Sequence, residues 1–153
     1  MPDFALYRDK ENENYRLEAE NFVQMTQPFK RLKSFLHRDY NLADTLGYTG
    51  VHLTSTQFAD IPKAKALGLE VVISTHTFDE VIKAEKLGAD YVTYSPIFLT
   101  PNKGEPKGVA DLKKVVAASQ IKIFALGGII DEKQIKEIED TGAFGFASIR
   151  YFL

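Results

Sequence analysis

Leu67-Gly68-Leu69-Glu70-Val71-Val72-Ile73-Ser74-Thr75-His76-Thr77 holds one complete structural unit, and its reading decides the fold. A helix-like stretch ends at a glycine suited to the left-handed C-cap, a short link follows, and an apolar run of strand character stops at polar residues. The same grammar recurs in Leu46-Gly47-Tyr48-Thr49-Gly50-Val51-His52-Leu53, in Leu87-Gly88-Ala89-Asp90-Tyr91-Val92-Thr93-Tyr94 and in Thr141-Gly142-Ala143-Phe144-Gly145-Phe146-Ala147-Ser148. Gly47, Gly68 and Gly88 follow one another at intervals of about 20 residues, the length of a helix plus a strand with short loops.

Three further apolar runs fit the strand role: Phe4 to Tyr7, Ser34-Phe35-Leu36, and Ile121 to Leu126, which brings the expected strands to seven. Helical spacing marks the intervals. Thr77 with Glu80 forms a capping box ahead of Val81 and Ile82, and Asp131 with Gln134 opens a second helix carrying Ile135 and Ile138. Val109, Leu112, Val115 and Val116 mark a third, and a first helix is expected from about Asn14 to Met25. Strands alternating with helices imply a parallel sheet, since parallel neighbours need a crossover connection. A doubly wound open sheet usually has five strands at this length, and a closed eight-unit barrel takes about 200 to 250 residues. The even repeat favours an α/β barrel of TIM type shortened to about seven strands, with one strand-helix unit absent and residues 1–153 forming a single domain.

Composition sets the outer limits. Of the 153 residues 44% are hydrophobic and 26% charged, a soluble globular mixture. Lys plus Arg number 19 against 21 Asp plus Glu, with no basic block, which argues against a nucleic-acid or anionic-membrane surface. The absence of cysteine excludes disulfides, thiolate nucleophiles and sulfur-based zinc sites. A strand-like run beginning at Phe4 leaves no room for a signal segment, so a cytoplasmic location is expected.

In parallel α/β folds ligands meet the carboxyl ends of the strands. Those ends here supply Arg8 and Lys10, His37 and Arg38, His52, Ser74 and His76, the loop Thr100 to Lys103, Gly127-Gly128, and Arg150. Arg8 and Lys10 either hold an anion together or are solvated strand-end charges. Gly127-Gly128 precedes the helix opening at Asp131, where backbone N–H groups can approach a phosphate; a plain turn is the alternative. His76 is either a general acid and base or a hydrogen-bonded structural histidine. His52, inside Val51-His52-Leu53, reads as a packed strand histidine, and the spacing of the three histidines does not suit zinc.

Six ordered segments carry a resemblance: Tyr7-Arg8-Asp9-Lys10, Gly50-Val51-His52-Leu53, Ser74-Thr75-His76 with Glu80, Gly88-Ala89-Asp90-Tyr91-Val92, Ser95-Pro96-Ile97-Phe98-Leu99-Thr100-Pro101-Asn102-Lys103, and Ala125-Leu126-Gly127-Gly128-Ile129. Together they resemble the signature segments of the thiamine phosphate synthase and TenI family. The resemblance implies a TIM-type barrel that binds a thiazole phosphate and, in the synthase branch, a pyrimidine diphosphate with magnesium. It implies that Tyr7-Arg8-Asp9-Lys10 is the family's second strand region, so that an open barrel is left whose bare edges call for a covering segment or a homodimer. By the same resemblance Arg8 and Lys10 are a diphosphate pair, Lys103 and Thr100 are loop contacts, Gly127 and Gly128 form the thiazole phosphate loop, and Ser74 is the small polar residue of its strand end. His76 matches the general acid and base of the TenI branch, which aromatises a thiazole tautomer.

The departures are equally specific. Where the synthase branch usually shows Asn-Asp, and an acidic residue after Gly-Val-His-Leu, this chain has His37-Arg38 and Thr54-Ser55-Thr56-Gln57. Magnesium wants charged oxygen ligands, and these replacements remove them. Arg38 can supply compensating charge, and Arg150, where a serine is common, either contacts phosphate or blocks it. The expectation is therefore a metal-free thiazole tautomerase using His76, with a magnesium-dependent thiamine phosphate synthase and a catalytically degenerate phosphate-ligand binder or regulator as alternatives.

Overall fold

A computed structural model describes residues 2–152. Seven parallel strands pair strictly in chain order: β1 (Phe4–Tyr7), β2 (Lys33–His37), β3 (Gly50–Leu53), β4 (Glu70–Thr75), β5 (Tyr91–Tyr94), β6 (Lys122–Leu126) and β7 (Gly145–Ala147). The helices between them are α1 (Tyr15–Thr26), α2 (Tyr40–Leu46), α3 (Ile61–Ala66), α4 (Phe78–Leu87), α5 (Val109–Ala118) and α6 (Glu132–Glu139). Short 3-10 turns occupy Phe58–Asp60 and Arg150–Phe152.

Local chemistry accounts for the boundaries. Gly47 and Gly88 close α2 and α4 in the left-handed region at φ 77° and 90°, as the repeat requires. Asp39, Thr77 and Asp131 cap α2, α4 and α6 by accepting from the amides of Leu42, Glu80 and Gln134. The return half of the α4 box lands one residue early: the Glu80 carboxylate accepts from the His76 amide at 2.6 Å.

Strand alternation sorts side chains into two compartments. Leu36, Val51, Leu53, Val71, Ile73, Val92, Ile123 and Ala125 face outward and pack with Ala19, Val23, Ala43, Ile61, Ala64, Val81, Ala84, Leu112, Val115, Ile135 and Ile138 of the helices. The opposite face carries Phe4, Phe35, Val72, Tyr91 and Phe124. Phe4 of β1 lies with its ring 5.2 Å from that of Tyr91 on β5 and 5.0 Å from that of Phe124 on β6. First-strand contact with the fifth and sixth strands requires the sheet to curl on itself, so this face is the interior of a barrel wall. Among the described residues β1 and β7 each pair on one side only, and the wall is open between them. This is the α/β architecture of TIM type with seven strands, and the amino ends of its strands are plugged by aromatic rings. A Lys33–Glu70 ion pair at 2.7 Å lies beside that plug.

Candidate functional site

At the carboxyl ends of the strands the interior turns polar. Alternation that sends Leu36, Val51 and Ile73 outward sends His37, His52 and Ser74 inward. The register sets His37 beside His52 and Ser74 beside Thr93. The two imidazoles stack at 5.7 Å between centroids and 26° between planes, with their Nδ1 atoms 3.5 Å apart. His52 Nε2 lies 3.4 Å from Ser74 Oγ. A hydrogen-bonded line thus runs His37, His52, Ser74 across three adjacent strands.

Electrostatics keeps this line uncharged. Burial, then the positive charges of Arg8, Lys10 and Arg38, bring His37 down to about 4. Burial, then His37 and Arg8, bring His52 down to about 3. His37 Nε2 and Thr93 Oγ1 are buried without a hydrogen-bond partner. Outside the barrel, Tyr15 donates its hydroxyl to the His37 carbonyl at 3.0 Å, and burial raises that phenol to about 12.

The other candidates occupy the rim. β1 ends at Tyr7, so Arg8 and Lys10 stand past the strand in the exposed link to α1, and strand alternation does not dictate a shared side for them. Arg38 is exposed with φ 70° and follows His37 directly. His76 is half-exposed, and its Nδ1 lies 3.6 Å from Glu80 Oε2. Lys103 and Arg150 are exposed.

Gly127 and Gly128 have a packing reason for being glycine. Both have positive φ, 104° and 69°. A Cβ on Gly127 would stand 2.8 Å from Pro96 Cα and 3.2 Å from Thr100 Oγ1, and one on Gly128 would stand 2.6 Å from the Leu99 carbonyl oxygen. The β5–α5 loop is pinned over them by amides of Ile97 and Phe98 donating to the carbonyls of Leu126 and Gly127. Thr100 is thereby brought beside Gly127, while Ser148 Oγ ties the end of β7 to the Ile129 carbonyl at 2.8 Å.

The residues near the ends of β2 and β3 do not fit magnesium. Arg38, Thr54, Ser55, Thr56 and Gln57 bring no carboxylate; Asp39 caps α2, and Asp60 is held by Lys63 at 3.0 Å and Gln57 at 3.2 Å. Among the described residues no group of three or more His, Asp or Glu side chains converges as a metal site. No helix of the described residues is long and apolar enough to cross a membrane.

The site was partly legible in advance. The sequence places His37, His52 and Ser74 together among the strand-end residues and reads His52 as a packed strand histidine; the structure packs it between His37 and Ser74. The signal for His37 and His52 was available in strand parity: both share the inward face with Phe35 or oppose outward Val51, once the sheet is known to curl.

Comparison with known proteins agrees with this fold. Residues 3–152 match the model of the TenI-containing family described as thiamine monophosphate synthase. A putative thiamine-phosphate synthase 2 of Aquifex aeolicus is 35% identical over 147 residues, covering 94% of this chain and 77% of that one. The thiamine-phosphate synthase of Lactococcus lactis is 30% identical, with 94% and 70% covered, whereas the match to the Chlamydia abortus enzyme spans 52% of its length. The solved thiamine phosphate pyrophosphorylase of Pyrococcus furiosus superposes with a TM-score of 0.83 at 26% identity, covering 96% of this chain and 72% of that one. The chain belongs to the thiamine monophosphate synthase and TenI family.

Proposed function

We propose that this chain performs the synthase reaction for which its relatives are named, joining a pyrimidine diphosphate to a thiazole phosphate at the rim of the barrel. The observation that carries the reading is a set of exposed cations just past the carboxyl ends of β1 and β2, Arg8, Lys10 and Arg38, whose charges all disfavour protonation of His37 and give that end of the wall a field attractive to anions. In this reaction the bond from the pyrimidine methylene carbon to the diphosphate oxygen breaks, and a bond from that carbon to the thiazole nitrogen forms. The diphosphate leaves with its electron pair. Arg8, Lys10 and Lys103 hold that diphosphate, and Arg38 supplies charge at the position where carboxylates for a metal are lacking. Gly127 and Gly128 present backbone N–H groups to the thiazole phosphate, with Thr100 and Arg150 beside it.

The test is product formation from the two substrates, followed chromatographically with magnesium and with a chelator. Turnover that survives chelation and falls at least about tenfold in Arg38→Ala supports the reading, since a charged contact made in the transition state is worth that much. No product under either condition rejects it.

A second reading is favoured by one feature. His76 follows the last residue of β4 and is half-exposed, with Glu80 near its Nδ1, an arrangement suited to moving a proton on a bound thiazole phosphate. Proton NMR of the thiazole phosphate tautomer in metal-free buffer tests it: aromatisation that is lost in His76→Ala supports a tautomerase. Broadened ligand resonances with neither reaction would instead identify a binder without turnover.

A further inference from the structure

We infer that His37 is a positioning residue that holds His52 in one tautomer, protonated on Nε2, and through it leaves the Ser74 hydroxyl proton free to donate to a ligand. The role assigned to Ser74 rests on the proposed ligand site; the tautomer itself does not.

The inference begins from proton counting. Two neutral imidazoles meeting Nδ1 to Nδ1 at 3.5 Å can form a hydrogen bond only if one Nδ1 carries the proton and the other does not. There are two solutions. In the first, His37 donates from Nδ1, His52 accepts on Nδ1 and therefore carries its proton on Nε2, and that N–H donates to Ser74 Oγ. Ser74 then has its own proton free to donate elsewhere. In the second, every bond reverses: His52 donates to His37, its bare Nε2 accepts from Ser74, and the serine proton is spent inside the wall.

The orphaned atom chooses between them. His37 Nε2 is buried without a partner, so it presents either a bare lone pair or an unpaired N–H. The charged groups bearing on His37 are Arg8 and Lys10 from the link after β1 and Arg38 from its own strand end, and all three are cations. His52 on β3 is the other titratable group facing it. A buried N–H left without an acceptor is rarer and costlier in a folded protein than a buried acceptor left bare, and net positive surroundings add to that cost, so Nε2 is the bare nitrogen. His37 is therefore protonated on Nδ1, which selects the first solution all along the line. A neutral ring is required at both positions, and burial among cations supplies that condition.

The consequence is local. His52 alone, with Ser74 as its only hydrogen-bonding neighbour, would exchange tautomers, and Ser74 would alternate between donor and acceptor. With His37 in place Ser74 is a free donor on the inward face, next to Thr93. A free hydroxyl donor suits an electron-rich atom of a ligand, such as a phosphate oxygen or a heteroaromatic nitrogen.

The experiment is long-range proton–nitrogen correlation NMR of the imidazoles in the ligand-free protein. Only three histidines are present, and His76 is set apart by its exposure, so assignment by single substitution is direct. The expected result is a His52 ring with a pyridine-like Nδ1 and a pyrrole-like Nε2. The reverse pattern in the native protein overturns the inference without any variant. His37→Phe removes the donor and is expected to bring both His52 nitrogens to averaged positions, whereas His37→Asn, whose amide can donate near the same point, is expected to restore the native pattern. Ser74→Ala is expected to leave the His52 tautomer unchanged. A tautomer that survives His37→Phe, or that is lost in Ser74→Ala, overturns the assignment to His37. Because no ligand is added, failure of the proposed reaction and failure of this tautomer are read separately.

Discussion

His37 and His52 stand with their Nδ1 atoms 3.5 Å apart on neighbouring strands, two imidazoles sharing one hydrogen bond inside a barrel wall. Both are held below their ordinary value, to about 4 and about 3, so the unfolded chain binds more protons than the folded one once pH falls below the free imidazole value. Stability from these rings is complete above about pH 6.5 and is lost as pH falls toward the folded values. Between about pH 6.5 and about pH 5 the loss is on the order of 2 kcal/mol per ring, at about 1.4 kcal/mol per pH unit. Urea midpoints across that window check this. A midpoint that stays flat would show that the rings are not held neutral, and His37→Asn should make the fall shallower.

Gly128 is expected to tolerate no side chain. Its φ of 69° disfavours any L residue, and an added Cβ would meet the Leu99 oxygen at 2.6 Å and Phe98 Cβ at 2.8 Å, atoms of a pinned loop rather than a flexible tip. Gly128→Ala should cost about 2–4 kcal/mol in denaturant midpoints. Gly104 provides the control: φ is 72° and the space around it is open, so Gly104→Ala should cost only about 1 kcal/mol. Equal losses at the two positions would mean that backbone strain alone, and not the loop seated on Gly128, accounts for the glycine.

Glu80 connects a helix start to a candidate proton carrier. Its amide donates to Thr77 Oγ1 at 3.2 Å while its carboxylate accepts from the His76 amide at 2.6 Å. Glu80→Ala should cost about 1 kcal/mol, the ordinary worth of a cap, and should speed hydrogen exchange at the His76 amide. If exchange there is unchanged, the carboxylate does not hold the His76 backbone, and the tautomerase reading loses its positioning group.

The strand and helix plan was legible because the chain repeats one unit. Gly47 and Gly88 take the left-handed caps that the pattern demands, and Thr77 and Asp131 cap where the motifs fall. Strand parity was legible too, but what faces what across a curled sheet was not. His52 looks like a packed strand residue until the bend that brings Phe4 to Phe124 defines an inside. For Arg8 and Lys10 strand alternation decides nothing, because β1 stops at Tyr7 and both stand in the link that follows it.

The open side of the wall yields the last prediction. Among the described residues β1 and β7 each leave one row of backbone groups without a strand partner, and exposed apolar side chains stand close by in sequence: Leu6 on β1, Phe144 just before β7, and Ile149 and Phe152 just after it. Natural sheets rarely leave such edges bare, because they template pairing with another chain. We propose that two copies associate through these edges, the homodimer being one of the two coverings, with a covering segment, expected for an open barrel. Sedimentation velocity at micromolar concentration should show a dimer, and Ile149→Lys with Phe152→Lys should shift it toward monomer by placing like charges at the contact. A monomer in the native protein across that range, with unchanged thermal stability on dilution, would mean that the edges are tolerated in water and that the barrel needs no second copy.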